Sequence, residues 1–161
     1  MHHTRYRTVL NLILLFSIFA LIAAYFIQYV LGHEPCNLCL IERIPYFLII
    51  IVIISSFLFK KYEKIHLALL SLIFILASLI SFYHVGIEQG FIEESLVCDL
   101  SSKNNYLTTE ELLNELKEKK LSCKDVDFRV FGLSLATINT MFSLILSFIL
   151  VKLFLNYEKN K

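Results

Sequence analysis

The chain has 161 residues, is 57% hydrophobic and carries a formal net charge of +1. A soluble domain is nearer 45–50% apolar, so this excess excludes an ordinary water-soluble globule. The near-neutral balance gives no basic field for nucleic acid, and no nucleic-acid partner is expected.

Four stretches lack Asp, Glu, Lys and Arg: 8–33, 44–59, 65–87 and 130–151. A spanning helix needs about 20 apolar residues. The first, third and fourth runs qualify directly, and the second does so when extended back through Arg43 and Glu42 to Cys39. Lipid leaves no water for unpaired backbone groups, so each run reads as a helix. The first run exceeds the 7–15-residue core of a signal peptide and no A-x-A-like site follows it, so it reads as a retained helix. The expected fold is all-α, a four-helix transmembrane bundle forming a single integral membrane domain over 1–161. Its spans are expected at about 9–31, 41–60, 65–86 and 131–152, with outer loops at 32–40 and 87–130.

Lys and Arg in short loops set orientation. Arg5, Arg7, Lys60, Lys61, Lys64, Lys152, Lys159 and Lys161 cluster at the termini and the 60–64 turn, against Glu63 and Glu158. Residues 86–131 are instead acidic on balance. Both termini are therefore expected in the cytoplasm and the loops around 32–43 and 86–131 outside. Within the second loop, "LTTEELLNELKEKK" (107–120) reads as a short amphipathic helix. Thr108 and Glu111 form a capping box, Leu107 and Leu112 a hydrophobic staple, and Leu112, Leu113 and Leu116 a narrow apolar face.

All four cysteines fall on the expected outer side, where disulfides persist. Cys98 and Cys123, taken alone, read as a structural staple. Cys36 and Cys39 enclose too small a loop to staple anything, so that pair reads as redox-active or metal-binding. Zinc on all four cysteines lacks the usual paired spacing at 98 and 123, and no metal is expected.

In "EPCNLCLIER" (34–43), Pro35 suits a first helical turn. Cys36 and Cys39 are then i, i+3, and Cys39 and Arg43 i, i+4. A helix N-terminus and a nearby cation both favour the reactive thiolate. Pro45 is expected to disturb the backbone near Ile41. Glu42 is read as a partner of Arg43 or a solvated end residue, and His66 as interfacial. Arg43 alone would be a snorkelling end residue; beside the dithiol it becomes a functional candidate. His84 and Gln28 lie at a similar depth. A cation, a neutral donor and a thiol at one level suit a quinone, with its two carbonyl acceptors and apolar tail.

The combination of "PCNLCLIER", "FYHVGIEQG", "LVCDL" and "LSCKDVDFRVFGLSLATIN" resembles the disulfide bond formation protein B (DsbB) family over nearly the whole chain. The resemblance implies a thiol oxidase of the bacterial inner membrane with its cysteine loops in the periplasm. Cys98, paired with Cys123, would take electrons from a DsbA-like periplasmic thiol oxidase. Cys36–Cys39 would reoxidise that pair, and Cys39 would pass electrons to ubiquinone or menaquinone. Arg43 matches the family's quinone-site arginine, and His84 is carried over with it as quinone-binding. The Lys- and Glu-rich stretch between Cys98 and Cys123 departs from members that are aromatic and apolar there. Two other readings compete: a vitamin K epoxide reductase-like oxidoreductase, whose C-x-x-C usually comes late in the chain, and a non-catalytic scaffold stapled by disulfides.

Overall fold

The computed structural model describes residues 2–93, 98, 122–124, 128–130 and 132–159. The amphipathic helix expected over 107–120 lies outside them. Helix α1 runs His2–Tyr29, α2 Asn37–Ile41, α3 Arg43–Leu58 and α4 Glu63–Glu88, with a 3-10 turn at Lys60–Tyr62. A two-residue hairpin, β1 (Arg129–Val130) and β2 (Leu133–Ser134), leads into α5, Leu135–Lys159. Among the described residues, four helical segments are long and apolar enough to cross a membrane: Tyr6–Tyr29, Asn37–Leu58, Glu63–Glu88 and Leu135–Asn156.

The four segments pack as a bundle with α4 at its centre, lying most extensively along α5 and also against α3. Between lipid-solvated helices there is no hydrophobic drive to associate, so close approach of small residues does the work. Ser71, Ala77, Ser78 and Ser81 on α4 and Ala136, Thr140, Ser143 and Ser147 on α5 are all buried. Several of these hydroxyls stay satisfied within their own helix: Ser71 donates to the Leu67 carbonyl and Thr140 to that of Ala136, each at 2.8 Å. At the end of the bundle holding Tyr6, a larger core forms from Leu10, Ile13, Ile49, Ile53, Leu67, Leu70, Phe74 and Leu150. His66 sits at that end too and is buried. Its Nε2 lies 3.0 Å from Ser55 Oγ and its Nδ1 2.8 Å from the Tyr62 carbonyl, so it ties α4 to α3.

Three local features shape the opposite end. Pro45 has no N–H to offer the Ile41 carbonyl, and the helix breaks there: α2 stops at Ile41 and α3 restarts at Arg43, with Glu42 in the joint. After α4, Gly90 takes φ +75°, the left-handed geometry that ends helices at low cost. The chain then folds back so that Phe91 and Ile92 N–H reach the Gly86 carbonyl at 2.9 and 3.1 Å. Gly86 leaves room for this: a Cβ on it would stand 2.6 Å from Ile92 Cδ1, and the Ile92 side chain would have to shift. The hairpin pairs Arg129 with Ser134 and Val130 with Leu133, and Gly132 takes φ +83° in its turn. Ser134 then caps α5, its Oγ accepting from the Thr137 N–H at 3.1 Å.

Candidate functional site

Cys36 and Cys39 open the α2 turn. Cys36 stands just before it, with its Sγ accepting the Cys39 N–H at 3.2 Å. Both are free thiols, Cys36 buried and Cys39 half-buried. Cys98 and Cys123 form a disulfide, with Cα atoms 5.9 Å apart. The two pairs are not separate features: Cys36, Leu38, Ile87 and Cys123 form one buried cluster, against which Cys39, Ile41, Tyr83, Ile92 and Cys98 pack. The Gly86 fold-back described above is what brings Ile92 onto this cluster.

The Cys36 thiol is drawn down from an ordinary 9.0 to about 5. The largest cause is the hydrogen bond from the Cys39 side chain; burial acts the other way, and further help from His84 leaves the thiol lowered on balance. Cys36 is therefore thiolate at neutral pH and is protonated, losing nucleophilicity, as pH falls through about 5.

His84 stands beside this sulfur, its Nε2 3.5 Å from Cys36 Sγ. Its Nδ1 meets Glu42 Oε1 at 2.8 Å. Glu42 is thus neither a partner of Arg43 nor solvated, as the sequence suggested. The break before Pro45 turns it inward, where its side chain is 10% exposed and paired with a histidine on α4. Its second oxygen accepts from Asn139 Nδ2 at 2.8 Å. Asn139 also donates to Ser81 Oγ at 2.7 Å and accepts from the Tyr46 hydroxyl. On the other side, His84 Nε2 lies 3.7 Å from Glu88 Oε1, and the Ser134 hydroxyl donates to Glu88.

Arg43 makes a different set of contacts. Nη1 donates to Gln28 Oε1 at 2.6 Å, and its guanidinium lies 4.9 Å from the centre of the Tyr25 ring, a cation–π distance. Arg43 is thereby bound to α1, with part of its donor fork uncommitted to Gln28.

Cys36, Cys39, Cys123, Gln28, Glu42, Arg43, Tyr46, His84, Glu88 and Asn139 all border one cavity of about 730 Å³, within the range of small-molecule sites. Its walls are apolar, with Phe16, Phe19, Ala20, Ala23 and Ala24 from α1 and Ile138 and Phe142 from α5. Its polar end carries Cys39, Arg43, Gln28, Glu42 and His84. A flat ring with carbonyl acceptors and an apolar tail fits that lining: donors at one end, hydrocarbon along the rest. A metal centre on four cysteines does not fit, because Cys98 and Cys123 are bonded to each other. Among the described residues, the Cys36, Cys39 and His84 donors lie within 4.8 Å of one another, three ligands where a structural zinc takes four and a catalytic zinc three.

Four of these residues were not singled out as site candidates by sequence: Glu42, Asn139, Tyr46 and Glu88. Asn139 carried a usable signal, an amide inside the uncharged run 130–151, since polar groups at membrane depth are costly.

A bundle of four membrane-crossing helices that holds a dithiol and a disulfide in one packed cluster defines a multi-pass membrane protein of the thiol–disulfide oxidoreductase class. The chain belongs to the DsbB family, since the family model described as disulfide bond formation protein DsbB matches residues 6–153. It is also similar to "Uncharacterized protein RP370" of Rickettsia prowazekii (strain Madrid E), with 28% identity over 159 residues, covering 97% of this chain and 91% of that protein. No solved structure gives a significant match. Family membership carries an oxidoreductase activity in disulfide bond formation.

Proposed function

We propose that the protein is a quinone-linked thiol oxidase of the bacterial inner membrane, with both termini cytoplasmic and its cysteines periplasmic. It restores the disulfide of a DsbA-like periplasmic oxidase. The partner's thiolate attacks Cys98, the Cys98–Cys123 bond breaks, and Cys123 leaves as thiolate. A second attack by the partner's other thiol on the mixed disulfide releases the oxidised partner and leaves Cys98 and Cys123 as thiols. The Cys36–Cys39 disulfide then reoxidises that pair by the same exchange chemistry. This leaves Cys36 and Cys39 as thiols beside a Cys98–Cys123 disulfide, the redox state described above.

The observation that carries the reading is the shared cluster of the two cysteine pairs, bordering an apolar-walled cavity with Arg43 at its polar end. A bound ubiquinone or menaquinone would supply the two-electron acceptor for the Cys36/Cys39 dithiol. Arg43, steadied by Gln28 and Tyr25, offers charged donors to a ring carbonyl. The α1 and α5 walls exclude water, which strengthens that interaction.

Purified protein given a reduced thioredoxin-like dithiol partner and a quinone should consume one quinone per dithiol, followed by quinone absorbance. In that assay Arg43→Lys, which replaces a planar fork by a point charge, should raise the quinone KM about tenfold or more, ~1.4 kcal/mol. It should change kcat much less. An unchanged KM would remove Arg43 from the acceptor site, and no quinone consumption by the unaltered protein would remove the function.

A further inference from the structure

We infer that Glu42 and Asn139 are positioning residues that hold His84 against Cys36, so that the ring takes the thiol proton and returns it during exchange. The inference rests on the thiol-oxidase reading and adds residues that do not themselves touch the reacting sulfur.

The geometry leaves His84 little freedom. Its Nδ1 is bound to Glu42 Oε1 at 2.8 Å, which directs Nε2 to Cys36 Sγ at 3.5 Å. Glu42 is fixed in turn by Asn139 Nδ2 on Oε2 at 2.8 Å. The Asn139 amide has one sensible orientation, since its Oδ1 accepts from the Tyr46 hydroxyl while its Nδ2 also reaches Ser81 at 2.7 Å. Three helices thus converge on one imidazole: α3 through Tyr46, α4 through Ser81 and His84 itself, and α5 through Asn139. A carboxylate bound to the far nitrogen fixes ring tautomer and orientation and balances the charge that forms on it. The titratable or charged groups around this centre are Cys39 on α2, Glu42 at the joint, Arg43 and Tyr46 on α3, Glu88 on α4 and the disulfide-bonded Cys123.

The step is a proton transfer and involves no redox change. The Cys36 S–H bond breaks, the proton goes to His84 Nε2, and the electron pair stays on sulfur. The reverse transfer follows when exchange releases Cys36 as thiolate.

The test uses full-length reduced protein in detergent, with Cys36 alkylation by iodoacetamide followed by peptide mass spectrometry across about pH 4 to 9. Glu42→Gln should raise the midpoint of Cys36 alkylation by about one pH unit or more, a roughly tenfold slower reaction below it. Asn139→Ala should shift it in the same direction, and serves as the second probe if Glu42→Gln does not fold. Adding Glu42→Gln to His84→Gln should move the midpoint no further than His84→Gln alone. Wild-type midpoints in both the Glu42 and Asn139 variants would overturn the inference, as would a Glu42 effect that persists in full without His84. No quinone enters this readout. Quinone turnover with an unmoved midpoint fails only this inference, and a shifted midpoint without turnover in the unaltered protein fails only the oxidase reading.

Discussion

Cys39→Ser should abolish quinone reduction, lowering turnover on the order of 10³-fold or more, as loss of a covalent participant does. Cys36 would keep its place and its His84 neighbour, and could still form a mixed disulfide with Cys123. Without a second sulfur beside it, that mixed disulfide has no route to a Cys36–Cys39 bond, so electrons stop there. The check is quinone absorbance against time with a reduced partner dithiol, and turnover close to the unaltered rate would contradict the relay.

Cys98→Ser should produce an equally large loss with a different signature. Oxidation of a protein partner should fall on the order of 10³-fold, because the disulfide that receives the partner's attack is gone. A small dithiol such as dithiothreitol should still drive quinone reduction, since it can reach Cys36–Cys39 directly. The pair of substitutions therefore separates the two disulfides by function: Cys39→Ser blocks both electron sources, Cys98→Ser blocks one. If Cys98→Ser left protein-partner oxidation intact, Cys98–Cys123 would be a staple.

Much of this architecture could be read from residue order. Four runs free of charge gave the four membrane-crossing helices, because the lipid requirement acts on each segment separately. The break before Pro45 followed from a missing N–H, a local property. Cys39 and Arg43 border one cavity, although the helix whose i, i+4 spacing was to join them is broken between them. Glu42 was misread because its partners are distant in sequence. His84 lies 42 residues away and Asn139 lies 97 away, and only the packing of α4 and α5 against the α2–α3 joint brings them together. Spacing within "EPCNLCLIER" offered Arg43 as the nearest cation, whereas Arg43 turns to Gln28 and Tyr25 on α1. For His66, depth along α4 was legible, whereas the side of α4 facing Ser55 was not. The short hairpin ahead of α5 escaped notice inside "FRVFGLSL", where Gly132 was the available turn signal.

In the proposed relay the Cys36/Cys39 dithiol delivers its electrons to quinone. Trapping the thiols of all four cysteines in intact cells, with and without respiratory quinone, tests it most directly. Quinone depletion should leave Cys36 and Cys39 trapped as thiols and the partner oxidase reduced, and restoring quinone should return both to disulfides. A redox state of Cys36 and Cys39 that is the same in both conditions would contradict it.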